Sequence, residues 1–216
     1  MEIRALNTLD DMVSVEEVQR LAWGCTDREI VPPHLLYAAA HHGGCLLGGF
    51  EGDILVGFVY AFAAGDYLYS HLAAVRPNFR GRGHGVALKR AQAVWAREHG
   101  FPRIVWTFDP LQARNCQINL HIIGATSQRY LVDYYGELDD DINRGIPTDR
   151  LEVDWWLDGR PRANRRERVA YPWPLAPGQR LEWRLKLRQA LQEAFAGGLS
   201  VVDFEMGEAE AVLCLG

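Results

Sequence analysis

Three glycines alternate with basic side chains in residues 80–85, which read RGRGHG. The apolar run YLYSHLAAV precedes them, and a helical pattern starts near Val86. Glycine lets a backbone come close to a ligand and turn its N–H groups toward it, and a helix N-terminus adds partial positive charge. Arg80 or Arg82 can add a charge-assisted hydrogen bond to a phosphate. The stretch therefore predicts a phosphate-binding loop, and a glycine-rich turn with solvated arginines is the alternative.

Two common nucleotide-binding patterns do not fit this loop. The P-loop pattern GxxxxGK followed by Ser or Thr occurs nowhere in the sequence. The dinucleotide pattern GxGxxG fails at Val86 when it is read from Gly81, and its second half fails when it is read from Gly83. Residues 80–85 fit a third pattern without a gap. This pattern is [Q/R]-x-x-G-x-[G/A], where x is any residue. It is typical of the pyrophosphate loop of acyl-CoA-dependent N-acyltransferases.

The loop and its surroundings resemble the GNAT (GCN5-related N-acetyltransferase) superfamily, in a bacterial branch with a C-terminal extension. The resemblance covers about residues 1 to 157 and rests on YSHLAAVRPNFRGRGHGVAL, RIVWTFDP and NCQINLHIIGA. It implies an α+β fold, in which helices flank a mixed, mainly antiparallel sheet that is splayed between strands 4 and 5. It also implies transfer of an acetyl or larger acyl group, such as succinyl, from acyl-CoA to the amine of a small acceptor.

The same resemblance implies which residues hold the acyl-CoA. Backbone groups of the fourth strand would hold the pantetheine arm, and N–H groups of the loop would hold the pyrophosphate. Asn115 matches an asparagine that starts the next helix and hydrogen-bonds the pantetheine. The implied set is Leu72, Ala73, Ala74 and Val75 on the strand, Arg80, Gly81, Arg82, Gly83, His84 and Gly85 in the loop, and Asn115.

The general base departs from the family pattern. Many members carry a Glu on the fourth strand, whereas the polar residues here are Ser70 and His71. His71 is a candidate base because an unperturbed histidine titrates near working pH, although a structural role is the alternative. Asp109, at the end of the fifth strand, is the rival, since it could relay through water or cap the helix that starts near Leu111.

The general acid departs from the pattern as well. The family's usual acid is a Tyr in the helix after the fifth strand, and that helix has His121 but no Tyr. Tyr130 is the candidate acid, because Tyr134 and Tyr135 are interpreted as sheet core and rim. The proton can also come from solvent.

The acceptor is predicted to bind near the loop between the last two strands of the domain. This loop is rich in acidic residues, which would attract an amine, and Arg144 or Arg150 could clamp a carboxylate. Together they suit an amino acid, and a solvated loop is the alternative.

Composition narrows the class of protein. The chain has 216 residues and a net charge of -5, so no general basic field favours nucleic acid or an anionic membrane. Four scattered cysteines argue against a disulfide framework or a zinc site. The acidic start is unlike a signal peptide, and the longest apolar run is short of a membrane span. We therefore expect a cytoplasmic protein that uses no metal and binds neither nucleic acid nor membrane.

A shift in composition after Leu157, together with the extent of the family resemblance, predicts the domain organisation. Residues 1–158 form the predicted acyl-CoA-binding domain, in which Lys89 and Arg90 point away from the apolar face of the helix that follows the loop. Residues 159–216 form a predicted extension, an arginine-rich linker followed by a strand, a helix and a hairpin. Its tryptophans could pack onto the last strand, close the acceptor pocket or form a homodimer interface.

Two other functions remain open from the sequence. The chain could be a non-catalytic acyl-CoA sensor, because its acid and base residues are weak matches to the family. It could also acylate peptide N-termini, which would need an open groove.

Overall fold

The computed structural model describes residues 1–24, 28–138, 143, 145–176 and 178–216. Within this range the fold is α+β with a mainly antiparallel arrangement of ten strands, as predicted. The chain divides into two compact units inside its fifth strand, and the division falls between Ile104 and Val105.

The first unit holds four antiparallel strands in sequential order, β1-β2-β3-β4, with three α-helices and one 3₁₀ turn. Helices α1 and α2 pack against each other and against strands of this sheet, and α3 packs on β2, β3 and β4. The elements are β1 (Glu2–Ala5), α1 (Leu9–Trp23), α2 (Pro33–His41), β2 (Cys45–Glu51), β3 (Ile54–Ala64), β4 (Tyr67–Val75), the 3₁₀ turn (Pro77–Phe79) and α3 (His84–Glu98).

Local sequence signals explain where α1 begins and ends. Thr8 caps the helix, since its side chain accepts from the Asp11 N–H while the Asp11 carboxylate accepts from the Thr8 N–H. Gly24 ends the helix in the left-handed conformation. The helix then buries Met12, Val15 and other apolar residues in the core of the first unit.

The second unit holds the remaining strands in the order β5-β7-β6-β9-β10-β8. A short α-helix continues directly into a π-helical turn, where one longer helix was predicted. The elements are β5 (Arg103–Phe108), α4 (Ala113–Cys116), the π turn (Gln117–Ile122), β6 (Thr126–Leu131), β7 (Arg150–Trp156), β8 (Glu167–Pro172), α5 (Arg180–Ala196), β9 (Val201–Met206) and β10 (Glu210–Leu215).

The C-terminal extension shares its sheet with the preceding strands. β9 pairs with β6 through Ser127 and Val201, and β9 and β10 form the predicted terminal hairpin. Residues 159–216 thus belong to the same compact unit as β5, β6 and β7. The boundary after residue 158 stays a prediction, as does the splay between strands 4 and 5.

Tyr134 and Tyr135, which were interpreted as sheet core and rim, lie beyond the end of β6. β6 ends at Leu131, and a turn follows in which Asp133 has a positive φ of 46°. Tyr134 and Tyr135 lie in this turn, 45% and 40% exposed, and contact each other edge to face. They are therefore not core residues of the sheet.

Candidate functional site

A β-bulge places His71 apart from the regular strand pairing. Tyr60 of β3 pairs with Leu72 of β4, but the next β3 residue, Ala61, pairs with Ser70. β4 thus has one more residue than β3 at this point, and that residue is His71. A bulge leaves the extra residue unpaired and interrupts the ladder of hydrogen bonds. In this register His71 has no partner residue on β3.

The His71 imidazole lies among aromatic rings. The ring centroids of Tyr60, Phe62 and Tyr69 lie 6.2, 6.0 and 6.3 Å from that of His71. The side chain still reaches solvent, but loss of hydration lowers its pKa below the ordinary value. His71 is consequently neutral at pH 7 and able to accept a proton.

The two arginines of the glycine loop have different roles. Arg80 donates to the Ala22 carbonyl from Nη2 (2.7 Å) and to the Val75 carbonyl from Nε (3.2 Å), so it ties the loop to the ends of α1 and β4. Arg82 donates to the Asn78 carbonyl at 3.2 Å, and its side chain is 56% exposed. Arg82 is therefore the better placed of the two to reach a bound anion.

The loop has the geometry of an anion site. Gly81 and Gly83 both have a φ of +81°, and Gly83 caps α3 without a side-chain hydrogen bond, so the first N–H groups of the helix receive no capping side chain. A Cβ at either glycine would meet nothing within 4 Å, so the requirement is conformational. Gly85 lies inside α3, and His84 holds the helix start through Glu51, with Nε2 2.9 Å from Oε1.

A buried lysine joins α3 to the bulge, which was not expected. Lys89 was predicted to point away from the core, yet it is 6% exposed, and its Nζ donates to the Ser70 Oγ at 2.7 Å. The Gln92 Oε1 lies 3.5 Å away. Burial lowers the pKa of Lys89 to about 7, and burial raises the pKa of the neighbouring Cys45 thiol to about 12. The contact fixes the residue before His71.

Asp109, in the second unit, is engaged by a buried arginine. Its two carboxylate oxygens accept from Arg184 Nη1 and Nη2 at 2.5 and 2.9 Å, and Oδ1 also accepts from the Leu111 N–H at 2.9 Å. Asp109 is 5% exposed and the Arg184 side chain 0% exposed. The helix begins at Ala113 with Gln112 as its N-cap, so Asp109 accepts from the turn before the helix and does not cap it. The ion pair with Arg184 disfavours Asp109 as a base.

Tyr130 is engaged in a similar way. Its hydroxyl donates to the Asp149 Oδ2 at 2.8 Å, and Asp149 also accepts two hydrogen bonds from Arg188, at 2.8 and 2.9 Å. Burial and the Asp149 carboxylate raise the pKa of Tyr130. The proton that a general acid would donate is therefore held by a carboxylate.

The remaining predicted residues of the second unit differ in exposure. Asn115 lies exposed on α4, as a pantetheine contact would require. Arg150 is 7% exposed and donates to Asn143 Oδ1 and to the Asp149 carbonyl, both at 2.9 Å. It thus holds its own loop, which disfavours a carboxylate clamp. Arg144 and the acidic residues 139–141 lie outside the described residues.

The first unit therefore brings together His71, the strand residues 72–75 and the loop 80–85, whereas Asp109, Asn115, Tyr130 and Arg150 belong to the second. In the described part of the chain, no three His, Cys, Asp or Glu side chains are grouped as a metal site would need. None of the helices described is long and apolar enough to cross a membrane.

Comparison with known proteins gives consistent results. Residues 13–118 match the model of the Acetyltransferase (GNAT) family. The ribosomal-protein-S18-alanine N-acetyltransferase from Escherichia coli superposes with a TM-score of 0.59 and 13% identity, over 72% of this chain and 93% of that one. The protein yncA from Salmonella typhimurium, solved with its cofactor acetyl-CoA, superposes with a TM-score of 0.57 and 17% identity, over 76% of this chain and 98% of that one. For aminoglycoside 6'-acetyltransferase type Ii the TM-score is 0.58 and the identity 16%, over 74% of this chain and 100% of that one. No curated protein matches the sequence.

Lys89→Met is expected to reduce the pH dependence of stability. Lys89 loses its proton near pH 7 in the folded chain, whereas an unfolded lysine keeps it to about pH 10.4. The unfolded chain binds more protons in this window, so the wild-type free energy of unfolding gains up to about 1.4 kcal/mol per pH unit from this group as pH rises. Urea unfolding at pH 7, 8 and 9 measures the slope. Lys186→Met, at an exposed lysine, is the control, and equal slopes in the wild type and Lys89→Met would contradict the prediction.

Arg184→Met is expected to destabilise the chain by about 3 to 5 kcal/mol, because it leaves the Asp109 carboxylate buried without its partner. The double variant Asp109→Leu with Arg184→Met should recover more than half of that loss, since neither position then carries a buried charge. Urea denaturation of the wild type, both single variants and the double variant gives the coupling free energy. A double variant as unstable as the sum of the two single variants would exclude strong coupling.

Proposed function

Because the chain carries a GNAT acetyltransferase domain, we propose that it is an acyl-CoA-dependent N-acyltransferase acting on the amine of a small acceptor. The donor is acetyl-CoA or a larger acyl-CoA such as succinyl-CoA. One observation carries the proposal. A single compact unit holds both a glycine-rich helix start without a capping side chain and a strand bulge that contains a histidine.

The loop residues would bind the donor through its pyrophosphate. Backbone N–H groups of residues 80–85 and the N-terminus of α3 supply donors and partial positive charge. Arg82, whose side chain is 56% exposed, would add a charge-assisted hydrogen bond. The left-handed glycines and the open space above them suit close approach of a diphosphate.

The fourth strand would hold the pantetheine arm and orient the thioester. Leu72 to Val75 continue the pairing of β4 after the bulge, so this stretch is regular and rigid. The thioester supplies the activated carbonyl. The N–H of His71, which has no partner residue on β3, is the group we assign to the carbonyl oxygen, where it would stabilise the negative charge that develops as the amine attacks. Asn115 would add a side-chain hydrogen bond to the arm.

His71 would also serve as the general base. Its lowered pKa keeps the imidazole neutral, so it can take a proton from the acceptor amine directly or through water. Tyr130 would have to leave Asp149 before it could donate a proton. We therefore assign the proton that returns to the CoA thiolate to solvent, with Tyr130 as the alternative.

The engagement of Asp109 and Tyr130 favours a second candidate function, a non-catalytic acyl-CoA sensor. With both groups held in ion-pair networks, only His71 among the three proposed acid and base residues is available. A sensor would bind acyl-CoA tightly and release no thiol.

Thiol release separates the two functions. We would incubate the protein with acetyl-CoA or succinyl-CoA and a panel of amines that includes amino acids. For a catalyst, His71→Gln should lower kcat by about 10² to 10⁴ and leave the KM for acyl-CoA nearly unchanged, because the backbone N–H remains. His99→Gln, at an exposed histidine, is the control. Tight acyl-CoA binding without thiol release for any amine would favour the sensor.

Gly83→Ala should weaken acyl-CoA binding beyond its effect on stability. A left-handed φ costs a residue with a Cβ about 1 to 2 kcal/mol. Gly52→Ala is a matched control, because Gly52 has a φ of +60° and equally open space, in the turn between β2 and β3. Both variants should lose similar stability in thermal unfolding, and Gly83→Ala alone should raise the KM for acyl-CoA. Equal KM values in both variants would argue against a pyrophosphate loop.

A further inference from the structure

The second unit contains a small polar pocket that the proposed reaction does not use. It has a volume of about 220 Å³, and the segment 160–163 covers it. The volume equals that of about seven liquid water molecules and is below that of drug-sized sites, so it suits a molecule of amino-acid size. Its polar and aromatic lining includes Thr126, Asp154, Trp156, Arg160, Arg162 and Ser200.

Arg162 is the main candidate ligand group. Its guanidinium donates to the Val202 carbonyl at 3.3 Å and to the His121 carbonyl at 3.4 Å, and it lies 3.4 Å from an Asp203 carboxylate oxygen. All three contacts are longer than the usual 2.9 to 3.0 Å of an N–H···O bond. A carboxylate in the pocket could accept two shorter, charge-assisted hydrogen bonds from the same fork.

Gly124 makes room for this guanidinium. A Cβ at Gly124 would lie 2.4 Å from Arg162 Nη2, and the residue has a φ of +88°. Glycine is therefore needed both for the backbone conformation and for the place of the arginine. The position of the Arg162 guanidinium therefore depends on Gly124 as well as on the segment that carries Arg162.

A second arginine and a carboxylate complete the pocket. The Arg160 guanidinium stacks on the Trp156 ring, 3.6 Å from its centroid, and its Nε donates to Asp158 at 2.7 Å. Asp154 supplies the one carboxylate among the described lining residues. The pocket is therefore lined both by arginine, which can bind a carboxylate, and by the Asp154 carboxylate, which can bind an amine.

We propose that this pocket binds a small α-amino acid, with its carboxylate on Arg162 and its ammonium on Asp154. Hydroxyls of Thr126 and Ser200 add polar contacts. The proposal does not depend on acyl transfer, since every group it uses belongs to the second unit and binding needs no acyl-CoA.

Thermal unfolding of the full chain with each common L-amino acid at millimolar concentration tests the proposal. At least one small amino acid should raise the unfolding temperature. Calorimetry then compares that ligand with its analogues lacking the amine or the carboxylate. The analogue without the amine should bind at least about tenfold more weakly than the amino acid, and the analogue without the carboxylate should not bind measurably. No thermal shift with any amino acid would overturn the proposal.

Three variants locate the site. Arg162→Met should weaken binding of the amino acid at least about tenfold. Asp154→Asn should weaken binding of the amino acid and leave binding of the amine-free analogue unchanged. Arg168→Met is the control, because Arg168 lies in β8, shortly after Arg162 in the sequence, pairs with Glu205 at 3.1 Å and is outside the pocket lining. Unchanged binding in Arg162→Met, or equal losses in Arg162→Met and Arg168→Met, would place the ligand elsewhere.

Discussion

The bulge in β4 is the constraint on which the candidate site depends. A bulged residue gives up its place in the ladder, so its backbone needs support from another element. The buried Lys89–Ser70 hydrogen bond supplies that support from the second turn of α3. The first turn of the same helix begins at Gly83, where we propose that a pyrophosphate binds. One helix would therefore support both the proposed pyrophosphate site and the strand that would face the thioester.

Much of the first unit could be predicted because its signals are local. The glycine pattern, a strand before it and an amphipathic helix after it define the loop within about twenty residues, and the left-handed conformations of Gly81 and Gly83 follow from residue type. His71 was identified by type and strand position. The bulge could not be identified in this way, because register depends on how both strands pack and pair.

The remaining site residues depend on partners that are distant in sequence. Asp109 and Arg184 are 75 positions apart, and Tyr130 and Asp149 are 19 apart. A charged residue on a helix is ordinarily taken as solvated, which is why the burial of Lys89 and of Arg184 was missed.

Arg184 and Arg188 of α5 limit where this chain could be shortened. Arg184 and Arg188 are the cations that neutralise Asp109 and Asp149, two buried carboxylates in the part of the chain that precedes the extension. A chain that lost the extension would retain both negative charges without their counterions. A shortened chain would therefore be expected to need neutral replacements for both aspartates in order to stay folded.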